Sequence, residues 1–322
     1  MTVTVRTPGR LHFGLFCPGE PVRPGRRFGG AGLMVERPAI HVEIADAPAW
    51  SAEGPSADRA LTFARQFVQT LPPEQLYASQ HVRVVSCPRE HIGLGTGTQL
   101  GLAVARALAV RYGLDLSAVE LARGVGRGRR SALGIHGFQV GGFLVEAGHG
   151  DHGGIAPLVA RADFPEAWRV VLVLPQSGQG LHGPPEMQAF RELSPAAQAR
   201  TDILCRLVLL GMLPALAEAD GRAFGEALYE FNRRSGEFYR EVQGGPYAGA
   251  AVARQVEYLR RQGIAGAGQS SWGPAVFAVV ENADRAEDVA ARLRREFALG
   301  TDELLVTPGC NRGATAEWKG PG

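Results

Sequence analysis

A glycine-dense turn joins a strand-like segment to a helix-like segment, and it restricts the possible folds of this chain more than any other feature. This glycine turn is Arg89–Gly97 (REHIGLGTG); it follows His81–Pro88 (HVRVVSCP) and precedes Thr98–Arg111 (TQLGLAVARALAVR). Glycine lets backbone N–H groups approach a ligand closely, and a helix start supplies unpaired N–H donors and positive potential. The segment therefore predicts a binding site for an anion, most often a phosphate.

Two common phosphate-binding motifs do not fit the glycine turn. A Walker loop requires a lysine after its last glycine, and here Thr98 follows Gly97. The Gly-x-Gly-x-x-Gly fingerprint also fails, because its sixth position is Thr98 counted from Gly93 and Leu100 counted from Gly95. An ordinary tight turn is the structural alternative, but glycines that alternate beside threonines favour phosphate binding.

Composition narrows the possible functions. The chain has 322 residues, of which 45% are hydrophobic, enough for one large domain or two interlocked ones. Its net charge of +2 gives no reason to expect nucleic acid or a membrane as a partner. Lys319 is the only lysine. Fixed positive charge beside a phosphate must therefore come from arginine, whose planar guanidinium suits bidentate contacts.

Cysteine spacing and the lack of long apolar runs favour a cytoplasmic protein. Cys17, Cys87, Cys205 and Cys310 form no Cys-x-x-Cys pair. We therefore expect buried thiols in a reducing compartment rather than a zinc cluster or a redox pair. The first residues (MTVTVRTPGR) lack an apolar signal region, and no run approaches the roughly 20 apolar residues of a membrane span.

Hydrophobic patterning predicts an α+β protein with two halves, 1–162 and 163–322. Ser117 and Glu120 form a capping box at one helix start. Residues 23–32 (RPGRRFGGAG) are interpreted as a polar loop. The remaining predictions are helices at 57–70, 98–111 and 283–297, a mainly helical region at 184–261, and strands at 3–5, 11–16, 33–35, 40–44, 81–87, 140–146, 168–174, 275–280 and 303–307.

A second glycine-rich segment, 124–131 (GVGRGRRS), is the main source of candidate catalytic residues. Its arginines suit a substrate with several phosphate oxygens and a carboxylate, although a solvated basic surface is the alternative. On the first predicted strand, Arg10 and His12 alternate, so both face the same side. The candidate catalytic residues are Arg10, His12, Arg127, Arg129 and His136.

Other residues are candidate contacts of substrate. Residues around Arg26 form a possible loop over the pocket. The polar side chains after Gly268 suit hydrogen bonding to a ligand or a simple turn, and a nucleophilic serine there has little support. Trp272 could stack on an aromatic ring or pack against the turn. The full set is Gly93, Leu94, Gly95, Thr96, Gly97, Thr98, Gln99, Arg26, Arg27, Gly29, Gly30, Ser131, Gln269, Ser270, Ser271 and Trp272.

No protein-bound metal is predicted. His149, Asp151 and His152 do not form a tight ligand set, and they are interpreted as part of a glycine-rich surface turn. We expect a magnesium ion to enter with pyrophosphate or a nucleotide and to have few protein ligands.

Three motifs in this order resemble the GHMP kinase superfamily. The glycine turn with its preceding proline resembles the phosphate loop of that superfamily, whose usual form ends in Gly-Leu-Gly-Ser-Ser. Residues 8–13 (PGRLHF) resemble its N-terminal motif, and residues 266–273 (GAGQSSWG) resemble its C-terminal glycine motif. The resemblance implies a ribosomal-protein-S5-like N-terminal half, a ferredoxin-like C-terminal half, and a possible homodimer.

A finer resemblance is to the β-ribofuranosylaminobenzene 5′-phosphate synthases. It is carried by residues 10–15 (RLHFGL), 91–100 (HIGLGTGTQL) and 126–131 (GRGRRS) leading to Gly141–Phe143. The resemblance implies a pentosyltransferase of tetrahydromethanopterin biosynthesis. Such an enzyme joins phosphoribosyl pyrophosphate to 4-hydroxybenzoate or 4-aminobenzoate and releases pyrophosphate and carbon dioxide.

Two other functions remain open at this point. Many GHMP kinases place an aspartate about seven residues before a Gly-Gly pair, where it activates the attacking hydroxyl. Counting back from Gly141 gives Gly134, and no Asp or Glu lies between Glu120 and Glu146. An ATP-dependent small-molecule kinase is therefore disfavoured as the first alternative. A non-catalytic protein that binds a nucleotide or a metabolite is the second.

Overall fold

The computed structural model describes residues 2–19, 25–72, 77–176 and 198–319, together with Gly180, Gly183 and Gln188. The described strands are β1 Thr2–Cys17, β2 Phe28–Asp46, β3 Ser51–Glu53, β4 Gln80–Ser86, β5 Phe143–Glu146, β6 Leu158–Ala162, β7 Arg169–Val173, β8 Gly266–Gln269, β9 Val276–Val280, β10 Leu304–Pro308 and β11 Thr315–Lys319.

The described α-helices follow the amphipathic segments of the sequence. They are α1 Ala57–Gln69, α2 Thr96–Arg111, α3 Ala118–Gly124, α4 Leu133–Val140, α5 Gln198–Leu207, α6 Leu213–Ala217, α7 Gly221–Gly236, α8 Arg240–Gln243, α9 Gly249–Arg261 and α10 Ala283–Phe297. A π-helical turn, Val208–Met212, joins α5 to α6. Short 3₁₀ turns occupy Glu237–Tyr239 and Thr301–Glu303. Within the described ranges, no helix has both the length and the apolar character that crossing a membrane requires.

The N-terminal sheet is built around the two longest strands. Its strand order is β11-β1-β2-β4-β3, and β5 pairs with the early part of β2 and with β6. α1, α2 and α4 pack on this sheet, and α3 packs on these three helices, through an apolar cluster that includes Phe63, Phe67 and Leu100. The last strand, β11, returns from the far end of the chain to pair with β1.

The C-terminal sheet has four antiparallel strands in the order β10-β7-β9-β8. In chain order its elements are a strand, helices, two strands, a helix and a strand, which is the ferredoxin-like arrangement predicted above. α9 and α10 pack on this sheet. A third apolar cluster joins the two sheets; in it the Phe13 and Phe277 rings lie 5.0 Å apart. The boundary proposed between 162 and 163 stays a prediction.

The structure corrects the sequence prediction at the N-terminus. The four short strands predicted in the first 45 residues are parts of two long strands, β1 and β2. Bulges between Thr7 and Gly9 and between His12 and Gly14 let β1 continue through proline and glycine. The loop predicted at 23–32 is wrong for Phe28–Gly32, which belong to β2, while residues 23 and 24 lie outside the described residues.

Other predictions differ in extent. The strand predicted at 140–146 begins at Phe143, because Val140 is the last residue of α4. α2 begins at Thr96 rather than at Thr98, so part of the glycine turn is helical. The mainly helical region is confirmed for residues 198–261, apart from short connecting turns; residues 184–187 and 189–197 lie outside the described residues. The helix predicted at 283–297 has the predicted bounds, with Asn282 as its N-cap.

Candidate active site

Three segments that are distant in sequence meet at the glycine turn. The backbone N–H of Arg10 on β1 donates to the carbonyl oxygen of Leu94 (3.1 Å). The Ser270 hydroxyl donates to the carbonyl oxygen of Gly93 (2.7 Å) and accepts from the backbone N–H of His12 (3.0 Å). β1, the glycine turn and the turn after β8 therefore form one hydrogen-bonded unit.

Helix α7, in the C-terminal half, is hydrogen-bonded to this unit through two of its side chains. Asn232 Nδ2 donates to the carbonyl oxygens of Phe13 (2.6 Å) and Gln269 (2.8 Å), and its Oδ1 accepts from the Gln269 N–H (2.9 Å). The Ser235 hydroxyl accepts from the Leu15 N–H (2.8 Å) and donates to the Leu15 carbonyl oxygen (2.9 Å). These two buried side chains satisfy backbone groups of β1 and β8, and they thereby fix the relative position of the two strands.

The non-helical part of the glycine turn ends in a left-handed residue, Gly95, which is the N-cap of α2. Gly95 has φ 68° and ψ 18°, and its carbonyl oxygen accepts from the N–H groups of Thr98 (3.0 Å) and Gln99 (3.1 Å). A Cβ at Gly95 would lie 2.9 Å from Arg10 Nε, so glycine here also allows the arginine to approach the helix start. The first turn of α2 thus combines backbone donors with an adjacent guanidinium, a suitable arrangement for an anion.

Two further guanidinium groups lie over the start of α2. A Cβ at Gly97 would lie 2.6 Å from Arg59 Nη2 and 3.5 Å from Arg127 Nη2. Both guanidinium groups also lie over the Phe63 ring, 5.6 Å and 4.9 Å from its centroid. Glu90 pairs with Arg59. Burial, together with the neighbouring arginines, lowers the pKa of Arg127 to about 10. Like charges concentrated at a helix N-terminus repel one another, so this position favours a multiply charged anion.

A cavity of about 710 Å³ opens beside the glycine turn. Its lining includes six arginines and two histidines, and none of its described lining residues is an aspartate or a glutamate. These basic residues are Arg10, Arg27, Arg59, Arg127, Arg129, Arg130, His12 and His91. The cavity therefore suits a polyanionic ligand, and its described lining residues include no carboxylate that could serve as a general base.

Another part of the cavity wall is apolar and aromatic. The Tyr239 and Trp272 rings lie 4.2 Å apart with a 50° tilt, and both line the cavity. Leu15 completes a small buried cluster with them, and the half-buried Phe28 packs against it. This part of the wall fits a planar aromatic ring.

The cavity brings together most of the residues predicted from the sequence. The predicted residues that line it are Arg10, His12, Arg27, Gly93, Gly95, Thr96, Gly97, Thr98, Arg127, Arg129, Ser131, Gln269, Ser271 and Trp272. The Gln269 side chain is also engaged with the backbone, since its Oε1 accepts from the Ala248 N–H (2.6 Å) and its Nε2 donates to the Ser271 carbonyl oxygen (2.8 Å).

The structure does not bring two predicted polar residues, Gln99 and His136, to the cavity. Gln99 is buried: its Oε1 accepts from the Thr7 hydroxyl (2.5 Å) and its Nε2 donates to the Gly134 carbonyl oxygen (2.7 Å). His136 Nε2 donates to the carbonyl oxygen of Ala156 (2.8 Å). Both side chains hold neighbouring segments together, so contact with substrate stays a prediction for them.

The other predicted residues do not line the cavity, and their positions in the fold explain their absence from its wall. Leu94 is in the apolar cluster between the sheets, and Ser270 is completely buried behind the glycine turn. Arg26 Nε donates to a backbone carbonyl oxygen 3.0 Å away. Gly29 and Gly30 belong to β2, where adjacent backbone lies close to both.

The pKa values of two buried groups, His12 and Glu146, are shifted towards the neutral forms. Burial and the charge of Arg10 keep the pKa of His12 well below its usual range. Burial raises the pKa of Glu146 to about 7, although hydrogen bonds from Ser131 and Ala132 lower it. Glu146 Oε2 accepts from the Ala132 N–H at 2.6 Å and the residue has no exposed surface, so this carboxyl lies behind the cavity wall rather than in it.

Several functional candidates were missed from the sequence. Arg59 and Phe63 lie on an ordinary amphipathic helix, and Tyr239 and Asn232 lie in a helical region without a motif. Only the tertiary fold places them beside the glycine turn. Among the residues that the structure describes, no group of three or more His, Cys, Asp or Glu side chains could hold a metal ion.

Comparison with known proteins identifies the family of this chain. The family model for the GHMP kinases C-terminal domain matches residues 212–299. The chain is 31% identical to "Beta-ribofuranosylphenol 5'-phosphate synthase" of Methanothermobacter thermautotrophicus, covering 96% of this chain and 97% of that protein. It is 32% identical to the protein of the same name from Archaeoglobus fulgidus, covering 97% and 99%.

Solved structures show the same fold at low sequence identity. Homoserine kinase from Cytophaga hutchinsonii superposes with a TM-score of 0.70 at 13% identity, covering 98% of this chain and 97% of that one. Mevalonate pyrophosphate decarboxylase from Streptococcus pyogenes gives a TM-score of 0.66 at 12% identity, covering 97% of each chain. With the motifs, the fold and the full-length relatives taken together, the chain belongs to the β-ribofuranosylphenol 5′-phosphate synthase family of the GHMP kinase superfamily.

Proposed function

We propose that this protein is a pentosyltransferase that joins phosphoribosyl pyrophosphate to 4-hydroxybenzoate or 4-aminobenzoate, with loss of pyrophosphate and carbon dioxide. The observation that carries the proposal is one cavity with arginines over a helix start, an aromatic wall and no carboxylate among its described lining residues. The name of the relatives describes a phenol ring on ribose 5′-phosphate, which is the product expected from 4-hydroxybenzoate. The pathway we propose is tetrahydromethanopterin biosynthesis.

The reaction requires no covalent intermediate with the protein. The bond between ribose C1 and pyrophosphate breaks, and its electron pair leaves with pyrophosphate. The ring carbon that bears the carboxylate forms a bond to C1. The carboxylate then departs as carbon dioxide and returns an electron pair to the ring, which restores aromaticity. Atoms and charge balance without a net proton transfer.

The basic residues would stabilise the leaving group. Negative charge grows on pyrophosphate as the bond to C1 lengthens, and donors that are already in place at that position lower the barrier. Arg10, Arg59 and Arg127 lie beside the start of α2, and the last two pack over the Phe63 ring. We expect Mg²⁺ to enter as the counter-ion of the substrate, since the described lining residues offer it hydroxyl oxygens but no carboxylate.

The aromatic wall would hold the acceptor. A ring placed against Tyr239 and Trp272 buries its apolar faces. The neutral His12 ring lines the same cavity. Removal of the carboxylate from water would favour its loss as carbon dioxide, because the charged form loses hydration in a partly apolar site.

The kinase alternative lacks its usual base here. A Cβ at Gly134, the position counted back from Gly141, would lie 3.1 Å from Gln99 Nε2 and 3.2 Å from Thr98 Cγ2. Gly134 therefore packs against side chains of α2, which a larger residue at this position would have to shift by a few tenths of an ångström. The buried Glu146 does not line the cavity.

A direct assay tests the proposal. Purified protein is incubated with phosphoribosyl pyrophosphate, Mg²⁺ and either aromatic acid, and pyrophosphate and carbon dioxide are measured together. Stoichiometric release of both supports the synthase, and release of neither would rule it out. ATP consumption with a small alcohol would instead support the kinase. Tight ligand binding without turnover of any tested pair would support a binding protein.

A further inference from the structure

A second cavity of about 510 Å³ adjoins the first. The two cavities share the wall formed by Arg27, Phe28, Arg127, Gly128 and Arg129. A ligand that is held at the glycine turn and a group in the second cavity would therefore face the same guanidinium groups from two sides.

The second cavity is also basic. Besides the shared arginines, its lining includes Arg123 from the last turn of α3 and His149. Asp151 is the single acidic residue among its described lining residues. The imbalance between four arginines and one carboxylate favours an anion, and the remaining wall is mostly glycine backbone, which leaves room for a tetrahedral group.

Arg127 links the two cavities electrostatically. Its Nε is buried and has no hydrogen-bond partner among the described residues. Arg59, Arg129 and Arg130 surround it with like charge. One anion over the start of α2 would contact Arg59 and Arg127, while a second anion on the far side would contact Arg129 and Arg123.

We propose that the second cavity is a subsite for a phosphate monoester and that it holds the 5′-phosphate of the ribosyl substrate while the glycine turn holds its pyrophosphate. The helix start with three adjacent arginines matches the more highly charged group. The second cavity has no helix start among its described lining residues and includes the carboxylate of Asp151, so it matches the single phosphate. The assignment to this substrate rests on the proposed function.

Titration calorimetry with ribose 5-phosphate and with inorganic pyrophosphate tests the subsite. We expect wild-type protein that is saturated with pyrophosphate to bind ribose 5-phosphate as well. Arg123→Ala should weaken ribose 5-phosphate binding about 10-fold, as expected for loss of one charge-assisted hydrogen bond, and leave pyrophosphate affinity within about two-fold. Arg65→Ala is the matched control, because Arg65 is an exposed arginine that lines neither cavity.

Two results would overturn the subsite. One is competition, in which saturating pyrophosphate abolishes ribose 5-phosphate binding. The other is an Arg123→Ala variant whose ribose 5-phosphate affinity matches that of Arg65→Ala. These outcomes are separate from failure of the proposed function, which would appear as absence of product from the wild-type protein even when both anions bind together.

Discussion

The Ser270 hydroxyl donates a 2.7 Å hydrogen bond to the carbonyl oxygen of Gly93, across 177 residues of sequence. Ser270 Oγ also accepts from the backbone N–H of His12. One completely buried side chain therefore joins β1, the glycine turn and the turn after β8. This relationship explains why three separate motifs behave as a single site.

Ser270→Ala should loosen this junction. It leaves two buried backbone groups without their partner, so we expect a loss of about 1–3 kcal/mol in the free energy of unfolding and weaker pyrophosphate binding. Denaturant unfolding and calorimetry measure the two effects. Ser86→Ala removes an exposed hydroxyl that bonds a single carbonyl oxygen and is the control. Equal stability of the two variants would show that the junction does not depend on Ser270.

Gly95→Ala should weaken anion binding in addition to straining the backbone. Gly95 has φ +68°, and an added Cβ would collide with the Arg10 side chain. Gly113 has φ +69° with nothing within 4 Å of an added Cβ. Both substitutions should cost about 1–2 kcal/mol of stability for the left-handed backbone.

The difference between the two glycine variants isolates the position of Arg10. We expect Gly95→Ala to bind pyrophosphate about 10-fold more weakly than Gly113→Ala, the equivalent of one charge-assisted hydrogen bond. Calorimetry at low ionic strength measures this difference in pyrophosphate affinity. If both variants bind pyrophosphate as the wild type does, the glycine turn is not the anion site.

Site residues whose direction follows from the backbone pattern were easier to predict than residues whose position depends on turn geometry or on tertiary packing. Alternation on β1 predicts that Arg10 and His12 face one side, because a strand has a fixed period of two, and both line the cavity. A local motif does not specify which side chains point inward from a turn, so Ser270 was predicted as a ligand contact although it is buried behind the turn. Arg59 could not be found at all, since its place over Gly97 depends on how α1 packs beside α2.

Glu146→Gln should change how stability depends on pH. The folded-state pKa of Glu146 is raised to about 7 from an ordinary 4.5, so the folded protein holds this proton more tightly than the unfolded chain. Between these values the wild type therefore loses stability as pH rises, by on the order of 3 kcal/mol in total, with no further change above about pH 7 from this group.

Glutamine cannot titrate, and it keeps an oxygen that can accept from the Ala132 N–H. The stability difference between wild type and Glu146→Gln should therefore shift in favour of the variant from pH 5 to pH 8. Urea unfolding of both proteins at several pH values measures this difference in the free energy of unfolding. A difference that is constant with pH would mean that Glu146 titrates normally in the folded protein.

Tyr239→Leu should weaken binding of the aromatic acid selectively. The substitution removes the ring 4.2 Å from Trp272 but keeps an apolar side chain in the small cluster with Leu15. We expect the KM for 4-hydroxybenzoate to rise about five-fold, the equivalent of one lost aromatic contact, while the KM for phosphoribosyl pyrophosphate stays unchanged.

Quenching of Trp272 fluorescence by the aromatic acid gives a second readout that does not require turnover. Trp318→Phe, on the exposed strand β11, is the control and should leave both the quenching and the KM values as they are. A rise in the KM for phosphoribosyl pyrophosphate alone would instead place the ribosyl substrate at the aromatic wall.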